Sequence, residues 1–238
     1  MKIKFCPFCG SHAASDRCYA CGADLAAVSA ACPDIKVSDD MSTVLEFGRY
    51  PYTADGAEAA IRWIVLEKTG NAALLLAENV IDCRRFKDGA SGARWSECAL
   101  REWLNGEFLI KAFMEDERDS IVLKVHTDGG NEHCGINGGE EVADSVFLLS
   151  IAEMEKYFGV PFTSRATATE YAAEQGVWRM DNGCVCWWLR SPGEEDGSVA
   201  NVNENGLVNA SGDSSLNSII GVRPALWVLA EAVGLDEE

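Results

Sequence analysis

The chain has 238 residues, with 20 lysines and arginines against 38 aspartates and glutamates, a net charge of −18. At 47% hydrophobic and 24% charged it reads as globular, one sizeable domain with room for a small appendage. So acidic a chain lacks the basic footprint of a nucleic-acid binder or of a protein held on an anionic membrane, and no apolar run approaches the roughly 18 residues of a spanning helix.

The expected partner is therefore an unknown protein or small-molecule ligand, with no nucleic acid and no membrane. Met1-Lys2-Ile3-Lys4-Phe5-Cys6 opens no apolar signal-peptide core, so a cytoplasmic chain is expected. The first 25 residues then carry two Cys-x-x-Cys-Gly knuckles, Cys6/Cys9 and Cys18/Cys21, with eight residues between them. Two such knuckles point four thiolates at one ion, and a closed tetrahedral thiolate site suits structural Zn²⁺. A disulfide pair or a redox Cys-x-x-Cys is the competing reading, disfavoured by the absence of a βαβ context. A segment this short holds no core of its own, so metal binding would supply its folding energy.

Residues 26–42 are small and polar, carry Pro33 and show no sustained period, which marks a linker. The main domain is expected over 43–230, followed by an acidic tail at 231–238. Within it, residues 44–50 read as a strand ending at Pro51. Residues 61–67 and 73–77 read as an antiparallel hairpin around Thr69-Gly70-Asn71. Ser96 is the expected cap of a helix with Leu100, Trp103 and Leu104 on one face, closed by Asn105-Gly106. A second short helix is expected within 107–117, with Phe108, Leu109, Ala112 and Phe113 inward.

The stretch 126–145 is rich in glycine and poor in apolar residues, so a long loop is expected. Its Asp128, Asn131, Glu132, Glu140 and Glu141 fit no EF-hand spacing, and a solvated acidic loop is the better reading than a Ca²⁺ site. Residues 146–149 read as a buried strand. Ser150 and Glu153 form a capping box for a helix running to Phe158 and stopping at Gly159, and 169–175 reads as another helix before Gly176. Cys184 and Cys186 would share a strand face, and His126, His133 and Cys134 are the residues that would complete a metal site there; buried structural cysteines are the commoner outcome.

In the last third, 186–190 is a dense strand stopped by Ser191-Pro192-Gly193, and 222–228 is a strand that Pro224 places at an edge or bulge. Between them, 199–203 and 207–209 read as a hairpin around Asn205-Gly206. Asn201 and Asn203 project from one face, Asn209 comes from the return strand, and Asp213, Ser214 and Asn217 follow on a loop. These six are the candidate ligand contacts, against the plainer reading of an ordinary polar hairpin. Substituting Asn201, Asn203 and Asn209 is expected to alter binding while moving stability by less than about 1 kcal/mol. Arg190 and Arg223, flanking the stretch, are expected to donate to backbone carbonyls or buried acids. The elements sum to an α+β fold of antiparallel strands and short helices.

Six motifs in order carry a resemblance over about 44–230: Phe47-Gly-Arg-Tyr-Pro51, Trp63-Ile-Val-Leu66, Leu100-Arg-Glu-Trp-Leu-Asn105, Phe147-Leu-Leu-Ser-Ile151, Trp187-Trp-Leu-Arg-Ser-Pro192 and Gly221-Val-Arg-Pro-Ala-Leu-Trp227. The chain resembles a bacterial family of unknown function, common in Firmicutes and often preceded by a zinc ribbon. Its C-terminal part also resembles the C-type-lectin-like fold of diversity-generating-retroelement variable proteins and formylglycine-generating enzymes. That resemblance implies that 194–219 correspond to a diversified ligand-binding region. Asn, Asp, Ser, Gly, Ala and Val are all reachable from adenine-mutagenised Asn codons, whereas Glu194, Glu195 and Glu204 are not. The enzyme branch fits poorly, because no cysteine follows Trp187–Pro192 where those enzymes carry reactive ones; Cys184 and Cys186 precede it. A structural or adaptor module, gripping a protein through the zinc ribbon, is the other alternative.

Overall fold

The computed structural model describes residues 44–89, 92–159 and 164–235, together with the backbone of Lys2–Ile3 and Lys36–Val37, which pair as a short parallel ladder. The cysteine knuckles at Cys6, Cys9, Cys18 and Cys21, most of the linker and residues 236–238 lie outside the described residues.

The architecture is α+β, with mostly antiparallel strands and short helices. Strands β1 (Val44–Pro51), β2 (Glu58–Thr69) and β3 (Ala72–Ala77) form a meander, and the Gly70-Asn71 turn closes the expected hairpin. The last strand, β13 (Ala225–Leu229), adds antiparallel to β3. Its other side pairs with β5 (Ile121–Val122) and β8 (Val146–Phe147). The second sheet runs β11 (Val208–Ser214), β10 (Ser198–Val202), β9 (Trp187–Pro192), β12 (Gly221–Val222) and β4 (Asp82–Cys83). A separate ribbon pairs β6 (Lys124–His126) with β7 (Val142–Asp144).

One hydrophobic core runs between the sheets, with Trp63, Trp95, Trp187 and Trp188 fully buried in it. Arg223-Pro224 is where the chain leaves the second sheet for the first. Pro224 therefore marks a passage between sheets, not an edge or bulge of one strand, and its missing N–H costs neither ladder a bond. Arg223 is fully buried at this joint and donates to the carbonyls of Ala77, Ser164 and Glu78 at 2.8, 3.4 and 3.2 Å.

Two expectations about helices change. Cys98, not Ser96, caps α1 (Ala99–Trp103), its sulfur accepting from the Arg101 amide at 3.3 Å. Asn105-Gly106 does not stop the helix. The chain continues through a π-turn at Leu104–Phe108 into α2 (Leu109–Ala112). The reason is tertiary: Asn105 Oδ1 accepts from the Ser145 and Val146 amides while its Nδ2 donates to the Val146 and Arg101 carbonyls, so the side chain is spent on β8. Helices α3 (Glu115–Ser120), α4 (Ile151–Phe158) and α5 (Glu170–Glu174) follow. The capping box at α4 is as read: Ser150 Oγ accepts from the Glu153 amide at 3.2 Å, and Glu153 accepts from the Ser150 amide at 2.8 Å. Among the described residues, no helix is long and apolar enough to cross a membrane.

The 126–145 stretch is a loop with exposed glutamates, but two of its polar side chains are buried and its ends pair as the β6–β7 ribbon. Asp128 and Asn131 are buried, while Glu132, Glu140 and Glu141 point outward, so the five do not converge on one ion. Asp128 accepts from Arg94 at 2.9 Å and from the amides of Gly130 and Gly139, and Asn131 donates to the carbonyls of Pro192 and Ala210. These bonds weld the segment to the second sheet.

Candidate functional site

The polar stretch lies at the outer edge of the second sheet. Strand β9 is buried along its whole length, β10 nearly so, and the edge strand β11 is half-exposed. Burial thus falls off in steps from a rigid centre to a polar rim. The hairpin turn is as expected. Asn203 Oδ1 accepts from the amides of Asn205 and Leu207, both at 3.0 Å, and Gly206 takes a positive φ of 76°. A neighbouring segment holds the turn, with Ser164 Oγ donating to the Gly206 carbonyl at 2.6 Å and Arg165 Nε to that of Asn205 at 3.0 Å.

Asn201 is the main correction. It is 1% exposed, and its amide donates to Asp213 Oδ2 at 2.8 Å. Asn209 donates to the same oxygen at 3.2 Å and accepts from the Gly212 amide with its Oδ1. The Asn201–Asp213–Asn209 triangle spans the hairpin and braces a bulge in β11 at Gly212, whose φ is +77° and where a Cβ would lie 2.5 Å from the Val199 carbonyl oxygen. Substitution of Asn201 therefore bears on folding, contrary to the expectation of a stability-neutral surface position. Both faces of β10 are covered, so alternation there does not separate inside from outside.

The outward-facing groups are different. Ser214 is exposed, its Oγ accepting from the Leu216 amide at 3.4 Å. Asn217 accepts from the Ile219 amide at 3.1 Å and leaves its Nδ2 for solvent. Ser211 on the edge strand and Ser218 on the loop are exposed as well. Local composition missed an apolar neighbour: Trp178, 51% exposed, whose amide donates to the carbonyl of Ile219, itself 46% exposed. An exposed indole at the margin of a polar row is a common anchor for a bound partner, and its only sequence signal is a tryptophan outside any strand pattern.

Among the described residues, Cys184 and Cys186 do not form a reactive centre. Cys184 is buried; Cys186 donates to Glu204 Oε2 at 3.3 Å. Burial, then the Glu204 carboxylate, pushes the Cys186 thiol up to about 12, which keeps it protonated at neutral pH. His126 bonds to Asp144, His133 to Glu155, and Cys134 Sγ lies 3.8 Å from the Ala210 carbonyl oxygen, so the histidines and cysteines considered together are spread over separate partners. Among the described residues no three His, Cys, Asp or Glu side chains are grouped as a metal site.

Arg190 and Arg223 both act on the frame. Arg190 donates to the carbonyls of Thr127 and Leu148 and makes a two-pronged contact with Glu153, at 2.5 and 3.1 Å. Burial would by itself raise the Glu153 carboxyl. The Arg190 charge and hydrogen bonds overcome that and hold it below the ordinary carboxylate value.

A family model described as a domain of unknown function, DUF6273, matches residues 70–230. No curated protein and no solved structure matches the chain.

Proposed function

The chain belongs to the DUF6273 family, and from that premise we propose that it is a ligand-binding protein whose contacts come from the outward groups of residues 194–219. The observation that carries this reading is the division of labour at the sheet edge. Asn201, Asn209 and Asp213 bond inward and hold the hairpin, while Ser211 and Ser214 on the edge strand and Asn217 and Ser218 on the following loop are open to solvent, the loop running on into Ile219, which meets Trp178. A rigid frame with replaceable polar rim residues suits recognition by adaptable hydrogen bonding around an aromatic anchor. We read the scaffold as C-type-lectin-like and the rim as open to diversification, in a bacterial cytoplasmic protein. The four cysteines Cys6, Cys9, Cys18 and Cys21 offer an all-thiolate donor set that fits structural Zn²⁺, with no open position for catalysis. The protonated Cys186 thiol gives no support to the alternative of a cysteine-dependent modifying enzyme.

Deep sequencing of the locus across a natural population tests the reading. Substitutions are expected to crowd into codons 211, 214, 217 and 218 and to spare 201, 203, 209, 212 and 213. Variation no greater than in the β2–β3 hairpin would remove the diversified-surface reading. Variation concentrated at 201 and 213 would remove the assignment of frame and rim.

A further inference from the structure

A second concavity, of about 340 Å³, lies away from the hairpin, between the outer face of the first sheet and helix α4. That volume falls in the range of small-molecule pockets, roughly 300–1,000 Å³. Its floor is the half-buried indole of Trp227, with Phe147 and Leu74 beneath.

The charges around it resolve by pairing. Glu153 is neutralised by Arg190. Glu67 accepts from Lys156 at 2.6 Å and from the Tyr157 hydroxyl. Lys124 makes no ion pair with any described carboxylate; its ammonium rests 5.3 Å from the centre of the Trp227 ring. In a chain of net charge −18, this cleft therefore holds one spare cation over an aromatic floor.

The third element is His126, whose side chain is 10% exposed. Its Nε2 meets Asp144 Oδ2 at 2.9 Å, and Asp144 is also held by Trp95 Nε1 at 2.8 Å and Arg101 Nε at 2.7 Å. In the tautomer whose Nε2 proton points to Asp144, Nδ1 is the acceptor of the ring. No partner among the described residues meets that atom.

We propose that this cleft binds a small aromatic carboxylate carrying a hydroxyl donor: the ring lies on Trp227, the carboxylate takes Lys124, and the hydroxyl donates to His126. The lysine swings off the indole face as the ring arrives, which its exposure permits. A cationic amine would meet the spare ammonium and is rejected.

The test uses the full chain with ¹⁵N-labelled tryptophan and 4-hydroxybenzoate as probe. The Trp227 indole signal, assigned by its loss in Trp227→Phe, is expected to shift and saturate, while the other six of the seven indoles report an intact fold. Lys124→Ala, at an exposed position, should weaken binding roughly tenfold, and benzoate, without the donor, by a similar factor. Tyramine should not bind. No saturating shift below about 10 mM, a weak ligand even for a small fragment, overturns the proposal. So does tyramine binding as well as 4-hydroxybenzoate, or an unchanged affinity in Lys124→Ala. Benzoate binding equally well would overturn the role given to His126. Rim variants such as Ser214→Ala leave the result unchanged, so this site and the hairpin succeed or fail separately.

Discussion

Asp144→Asn is the most informative single change in the folded frame. The carboxylate is fully buried and accepts from three donors on three segments: Trp95 Nε1, His126 Nε2 and Arg101 Nε. An asparagine of the same shape has one acceptor oxygen and turns an NH₂ toward the remaining donors. At least one buried donor then goes unsatisfied, and the Arg101 guanidinium loses its counter-charge. Leaving a buried donor unpaired costs about 1–3 kcal/mol and stripping a partly buried cation of its partner adds to that, so a loss of about 3 kcal/mol is expected. For a domain of this size that lowers Tm by roughly 6–12 °C in calorimetry.

The pH dependence gives an independent check. Burial would raise the Asp144 carboxyl, but the His126 and Trp95 hydrogen bonds and the Arg101 charge outweigh it and hold it below its ordinary 3.8. A carboxylate with a depressed folded value stabilises above its unfolded value, and that stability is lost as pH falls through the folded one. The gap between wild type and Asp144→Asn should thus be full at pH 6 and shrink below about pH 4. A loss under about 1 kcal/mol at pH 6, or a gap that stays constant down to pH 2, would refute the argument that the charge at this node holds the β6–β7 ribbon to the core.

Three further changes probe the hairpin and its thiol. Asn201→Ala should cost about 1–2 kcal/mol in urea unfolding, because a buried amide–carboxylate bond is lost, while Ser214→Ala should stay within about 0.5 kcal/mol; equal effects would merge frame and rim. Gly212→Ala should cost more than about 2 kcal/mol and abolish amide-exchange protection across β10–β11, since φ is positive and the new Cβ meets backbone. Cys186 should alkylate slowly in the folded protein at pH 8, with roughly a thousandfold less thiolate than an ordinary cysteine. Glu204→Gln should speed that reaction without restoring the ordinary rate, because burial is the larger cause of the shift.

Local signals read correctly wherever partners are near in sequence. The Ser150–Glu153 box and the Gly70-Asn71 and Asn205-Gly206 turns all join residues within a few positions of each other. The misreadings share the opposite property. Asn131 finds its partners at Pro192 and Ala210, Asn105 at Ser145 and Val146, Asp128 at Arg94; composition describes these side chains as polar and says nothing of distant carbonyls, amides and guanidinium groups that bury them. Asn201 belongs with them. Its alternation with Val202 was legible, but not that β10 is covered on both faces, which turns a polar side chain from a surface group into a brace.

The two arginines complete the argument about the variable-looking stretch. Arg190 ties its beginning to Thr127, Leu148 and Glu153, and Arg223 ties its end to Ala77, Glu78 and Ser164, all outside residues 194–219. Burial pulls the Arg223 guanidinium down to about 9, only partly offset by Glu78, so it is still charged at neutral pH and keeps its three carbonyls. Both ends of the stretch are therefore anchored by bonds that no change at 211, 214, 217 or 218 touches. Tolerance at those positions follows from where the anchors lie, and intolerance at 201, 209, 212 and 213 from the brace between them. A stretch uniformly polar in composition thus divides into two populations of residues with opposite expected responses to the same substitution.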